Sequence, residues 1–162
     1  MELKAIRVQI PQGANIVVGQ THFIKTIEDL YEVFVGASPQ IRFGIAFTEA
    51  SGPCLIRHEG NDDELTQAAI RTSQEIGAGH VFVAFMREAF PINVLNAIKL
   101  CPEVCRIYCA TANPLEVVVT ETDQGRGIMG VVDGASPKGV ETDADKTARK
   151  ALLRNFGYKI KS

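Results

Sequence analysis

The stretch TANPLEVVVTETDQGRGIMGVVDG, from Thr111 to Gly134, decides how the rest of the chain is read. Its two apolar, β-branched runs, Leu115 to Thr120 and Ile128 to Val132, flank the turn segment Asp123 to Gly127. That pattern predicts a β-hairpin closed by a glycine-built loop. Gly125, Arg126 and Gly127 then stand at its tip. Glycine lets backbone N–H groups approach an anion closely and the arginine adds a fork-shaped cation, so the triplet suits a phosphate or carboxylate, although an ordinary turn with a solvated arginine would read the same way. At the far end Asp133 closes a strand before a second glycine-rich turn, Ala135 to Gly139. Strand ends at loops are where chemistry is usually kept.

Outward from the hairpin, the chain alternates helices with further strands. Leu3 to Ile10 and Asn15 to Val18 read as strands, and Thr21 as the N-cap of a helix carrying Phe23, Ile27, Leu30, Tyr31 and Phe34 at helical spacing. Ile41 to Phe47 and Cys54 to Arg57 read as a second hairpin. The run Asn61 to Glu64 supplies a cap and first-turn carboxylates for a helix to Ile76, stopped by Gly77-Ala78-Gly79. His80 opens the strand Val81 to Met86, apolar at nearly every position as expected of a strand covered on both faces. Pro91 opens a short helix to Leu100, and a last helix runs from an acidic start at Glu141 to Asp145 toward the basic Arg154. The expectation is a single α+β domain of residues 1–162, a mixed β-sheet with hairpins packed against about four helices.

Composition narrows the function. Of the 162 residues, 46% are hydrophobic and 22% charged with a formal charge of −2, which fits a folded globular chain and leaves no basic footprint for nucleic acid or an anionic membrane. The N-terminal MELKAIRVQIPQG alternates like a strand rather than a signal peptide, and the apolar runs are too short to span a bilayer. A cytoplasmic protein with a small-molecule or protein partner is expected. Cys101, Cys105 and Cys109 recur every fourth residue, as ligands on one helix face would, but Pro102 interrupts them and Val104 to Cys109 alternates like a strand. Buried thiols are the better reading, and no metal ligands are assigned.

The candidates for chemistry are few. His22, read as lying in the first turn of a helix with Lys25 on the same face, would place a phosphate at a helix N-terminus beside a cation. His80, between a glycine turn and a buried strand, would be held rigidly near a pocket mouth. His58 reads as a solvated strand-end residue. Among the carboxylates, Asp133 and Glu49 each follow an apolar strand and precede small residues, the setting of a proton acceptor, a metal-binding group or simply a turn cap. No Walker A, GxGxxG, HExxH or GxSxG pattern is present.

The segments Gly19 to Thr26, Gly77 to His80, Phe90 to Asn96, Cys109 to Pro114 and Gly125 to Gly134, together with Gly157 to Lys159, resemble the adenosine-specific kinase family over nearly the whole chain. The resemblance implies binding of adenosine or AMP, a homotrimer, and phosphoryl transfer in which a phosphorylated histidine takes part. On that reading His22 or His80 would hold the phosphoryl group, with Lys25 and Arg126 neutralising its charge. Asp133 or Glu49 would take a proton from the ribose or help hold magnesium, with ATP as the donor. Phe47, Phe82 and Asn113 would supply an apolar slot and an amide for adenine. The alternative is a regulatory module that binds a nucleotide without turnover.

Overall fold

Two antiparallel sheets and four helices make up the fold, an α+β arrangement as expected. The structure is a computed structural model and describes residues 1–161. The elements run β1 (Glu2–Arg7), β2 (Asn15–Thr21), α1 (Thr26–Ala37), β3 (Arg42–Thr48), β4 (Ile56–Gly60), α2 (Asp63–Ile76), β5 (Val81–Arg87), α3 (Pro91–Leu100), β6 (Val104–Thr111), β7 (Leu115–Glu121), β8 (Arg126–Asp133) and α4 (Asp143–Asn155). Sheet orders are β4-β3-β5-β2-β6 and β1-β7-β8. All pairings between these strands are antiparallel; a parallel contact occurs as an isolated bridge from Ala78 to Arg126.

The five-stranded sheet is buried on both faces because its strands carry apolar side chains at consecutive positions. Along β5, Val81, Val83 and Phe85 enter one core, whereas Phe82, Ala84 and Met86 enter the other. The first core is closed by Leu65, Ala68, Ala69 and Ile76 of α2 and by Leu115, Val117 and Val119 of the small sheet. The second is closed by Ile27, Leu30 and Phe34 of α1 and by Val94 and Ile98 of α3. Gly19 is required where β2 passes the Phe82 ring, since a Cβ there would lie 2.4 Å from it. The hairpin read from Thr111 to Gly134 is present as β7 and β8, paired from Leu115 with Asp133 to Glu121 with Arg126.

Three expectations are corrected by this architecture. Thr21 does not cap α1. It is the last residue of β2, its hydroxyl lies 2.5 Å from that of Thr26 and donates to the Glu103 carbonyl, and the helix starts only at Thr26. Cys105 is exposed rather than sharing a buried face with Cys109, because register shifts in the β2–β6 pairing interrupt strict alternation along β6. Finally, α4 forms where expected but buries none of its residues.

Candidate functional site

One end of the five-stranded sheet gathers most of the polar candidates. There β2 ends at Thr21, β3 ends at Thr48, and β4, β5 and β6 begin. Beside it lies a cleft of about 680 Å³, walled by Thr48 and Glu49 after β3, by Gly77, Ala78 and Gly79 after α2, and by Gly125, Arg126 and Gly127 at the hairpin tip. Its volume is in the range of small-ligand pockets, roughly 300–1,000 Å³.

Each wall has a local cause. Asp62 caps α2 through its side chain, which accepts from the Leu65 amide, and Gly77 ends the helix in the left-handed conformation at φ 64°. Arg126 then fastens the hairpin tip to that helix end: its Nη1 donates to the Glu75 carbonyl at 3.1 Å and its Nη2 pairs with Glu121 at 3.2 Å. Lys4 holds the same Glu121 carboxylate at 2.5 Å. The guanidinium therefore positions the loop and satisfies a carbonyl at the helix C-terminus. On the opposite wall, Glu49 accepts from the Leu55 amide at 2.8 Å and from Arg57 Nη2 at 3.0 Å. Those two bonds, the amide first, hold its carboxyl below the usual carboxylate range, so it is ionised near neutrality. Ser73 also lines the cleft, with a buried hydroxyl that has no hydrogen-bond partner.

Both histidines adjoin this sheet end. The His80 amide donates to the Thr48 carbonyl at 2.8 Å and its own carbonyl accepts from the Thr21 amide at 3.0 Å. His80 adopts φ 57°, a left-handed conformation uncommon outside glycine, and its ring stacks on Phe47 with centroids 6.1 Å apart. His22 is exposed in the bend after β2, its amide donating to the Glu103 carbonyl at 3.1 Å. It lies outside α1, which starts at Thr26, so no helix dipole favours an anion at its ring. Lys25, just before α1, pairs with Asp29.

Around the sheet end from the glycine-walled cleft lies a second opening of about 770 Å³ between α1 and β4, lined by Phe23, Ile24, Lys25, Leu55, Arg57 and His58 among others. Ile56 lines both. Phe47 and Phe82 belong to neither. Both are buried in the α1-side core, where their rings pack the sheet.

Asp133 and Asn113 are elsewhere. They stand at the opposite end of β8 from Arg126, seven residues away, roughly 23 Å at the usual rise of a strand. There the Asp133 carboxylate accepts from the Thr111 hydroxyl at 2.7 Å and the Asn113 amide at 3.1 Å, closing the β6–β7 turn. The fold thus joins Glu49 with the glycine turns and the histidines, and separates Asp133 from them.

Sequence reasoning missed Arg57 and Glu103. Arg57 could have been found as the hairpin partner of a strand-end glutamate. Glu103 is 3% exposed with neither carboxylate oxygen hydrogen-bonded, and burial first, then the neighbouring Asp29 carboxyl group, pushes its carboxyl up. Nothing in Pro102-Glu103-Val104 signals that burial. Among the described residues no group of three or more His, Cys, Asp or Glu is arranged to hold a metal ion, and no helix is long and apolar enough to cross a membrane.

These features define a small α+β protein with a glycine-walled cleft beside a sheet end that also carries two histidines. The chain belongs to the adenosine-specific kinase family, whose model, described as "Adenosine specific kinase", matches residues 6–159. It is similar to the protein in the crystal structure of PH1918 from Pyrococcus horikoshii OT3, at 45% identity over 99% of each chain with a TM-score of 0.94. A comparison with curated proteins returned no match. Family membership supports a kinase-like role and a nucleoside as the class of substrate.

Proposed function

We propose that the protein binds adenosine or AMP in the glycine-walled cleft and transfers a phosphoryl group by way of a histidine at the sheet end. The observation that carries this reading is the convergence of Glu49, Gly77–Gly79 and Gly125–Gly127 on one cleft whose wall leads directly into His80. In such a site the ionised Glu49 accepts a hydrogen bond from a ribose hydroxyl, and the glycine turns let backbone amides approach phosphate oxygens. Adenine takes its amide contact from Gln74 or Gln124, which line the cleft, in place of the distant Asn113. The buried Phe47 and Phe82 shape the sheet beneath rather than stack on the base.

His80 is the better phosphoryl carrier of the two histidines, because its backbone is fixed on both sides and its ring is braced against Phe47. Magnesium would arrive with the ATP phosphates, as it usually does where a protein offers one or two carboxylates rather than a cage. A homotrimer in the cytoplasm completes the proposal.

One observation favours the rival reading, a binding module without turnover: Arg126 is engaged by Glu75 and Glu121, and Asp133 is remote from the cleft, so two of the expected participants in phosphoryl transfer are committed elsewhere. Incubation with γ-labelled ATP, with and without adenosine, separates the two. Acid-labile label on the protein and adenosine-dependent AMP formation support the kinase; adenosine binding with neither supports the module.

A further inference from the structure

We propose that the C-terminal arm, residues 140–160, docks on the outer face of the three-stranded sheet of a second copy of this chain. The arm is well formed, yet none of its described residues is buried. Helix α4 has a capping box in which the Thr142 hydroxyl accepts from the Asp145 amide while Asp145 accepts from Thr142. Nevertheless none of its residues is buried, and the hydrogen bonds found for its described residues stay within the arm. A free helix of thirteen residues is marginal in water, so this one needs a surface. Its apolar groups are arranged for one. Leu152 and Phe156, four residues apart and so on one face, are 50% and 67% exposed, and Tyr158 and Ile160 extend the same apolar character.

The sheet supplies the complementary surface. An antiparallel sheet with one face in the core normally turns a polar face to water. Here Ile6, Val117 and Val119 face the core, and the alternate positions are also largely apolar: Leu3 on β1, Val118 on β7 and Val132 on β8. Ala5, Val118 and Gly130 stand in one row across the three strands, so the middle of this face is small enough for a helix to lie close. Leu3, Met129 and Val132 around it are 67%, 65% and 49% exposed.

Charge selects the same partner. Residues 140–162 carry six basic and three acidic side chains, a net +3, which leaves −5 on residues 1–139 of a chain whose total is −2. A cationic arm is attracted to an anionic body, and exchange of identical arms between copies satisfies every arm and every sheet in a closed assembly. The proposal does not depend on what the cleft binds.

Light scattering on the full-length chain is the first test, and a mass that is a whole multiple of 17.6 kDa greater than one is expected. A monomer at tens of micromolar overturns the proposal. Phe156→Asp on the arm and Val132→Asp on the sheet should each weaken assembly at least tenfold, whereas Ile92→Asp on α3 should not. Assembly that survives Phe156→Asp, or that is lost with Phe156→Asp but untouched by Val132→Asp, overturns the pairing of these two surfaces. Hydrogen exchange on the unmodified protein needs no variant to fold: α4 amides should be protected in the assembly, and full exchange there also overturns it.

Discussion

The backbone amide of Thr21 donates to the carbonyl of His80 at 3.0 Å, and this bond sets His22, one residue on, beside His80 at the same end of the five-stranded sheet. Two histidines 58 positions apart in sequence thereby meet at one sheet end. The two differ in restraint. His80 has its amide and carbonyl both bonded to neighbouring strand ends and its ring against Phe47, while His22 is exposed in a bend.

Separate replacement of the two should therefore have unequal effects. His80→Asn, which keeps a residue tolerant of positive φ, is expected to abolish phosphohistidine labelling from ATP, and His22→Ala to leave most of it. Labelling that survives both substitutions would remove histidine from the mechanism.

Glu49 sets a pH dependence. Its carboxyl is held below its ordinary value of 4.5 by the Leu55 amide and then Arg57, so these bonds are at full strength above that value and are lost as the pH falls through the depressed folded one. Adenosine affinity measured by calorimetry should be flat from pH 7 to 5 and weaken only below about 4.5. Glu49→Gln should weaken it at pH 7 by about 10–100-fold, the worth of a hydrogen bond to a charged group. An unchanged affinity would move the ribose out of this cleft.

Asp133→Asn tests the separation of the hairpin's two ends. The carboxylate accepts from Thr111 and Asn113, and the substitution should cost about 1 kcal/mol in a urea titration while leaving adenosine affinity and any transfer rate alone. Loss of transfer at unchanged stability would restore Asp133 to the chemistry.

The four cysteines should fall into two classes. Burial, reinforced by Asp133, pushes the Cys109 thiol up to about 11, and Cys101 is raised by burial as well, whereas Cys54 and Cys105 are exposed. A thiol reagent at pH 8 should titrate two groups quickly and two only on unfolding. Four fast thiols would contradict the packing around β6.

Gly44→Ala probes the contact between β3 and α2, where an added Cβ would lie 2.1 Å from the Thr66 backbone nitrogen. Backbone cannot yield as a side chain can, and a loss of about 3 kcal/mol is expected in thermal or denaturant unfolding. A loss under 1 kcal/mol would mean that α2 rides higher on the sheet.

Much of this was legible in the sequence because it is local. The glycine turn between two β-branched runs gave the β7–β8 hairpin, Asp62 to Glu64 and Gly77 bounded α2, and the unbroken apolar run of β5 announced a strand buried on both sides. What was not legible depends on pairing across the chain. Thr21 has the residue type of a helix cap, yet the pairing with β6 and the bond from its amide to His80 keep it in the strand. Alternation along β6 fails at Cys105 because of register shifts that no local pattern records. Phe47 and Phe82 have the residue type of a base-stacking pair, and only the layering shows that both rings fill the α1-side core. The hairpin pattern put Asp133 and the glycine tip at opposite ends of one strand, but only the packing shows that the tip, and not Asp133, is the end that meets Glu49.

The most direct test of the central claim is isothermal titration of the purified protein with adenosine and AMP, with guanosine and cytidine as controls, repeated on Glu49→Gln. Selective binding of adenosine or AMP by the unmodified protein, weakened at least tenfold by the substitution, is the predicted result. Absence of binding by any nucleoside, or adenosine binding indifferent to Glu49, would contradict the assignment of this cleft.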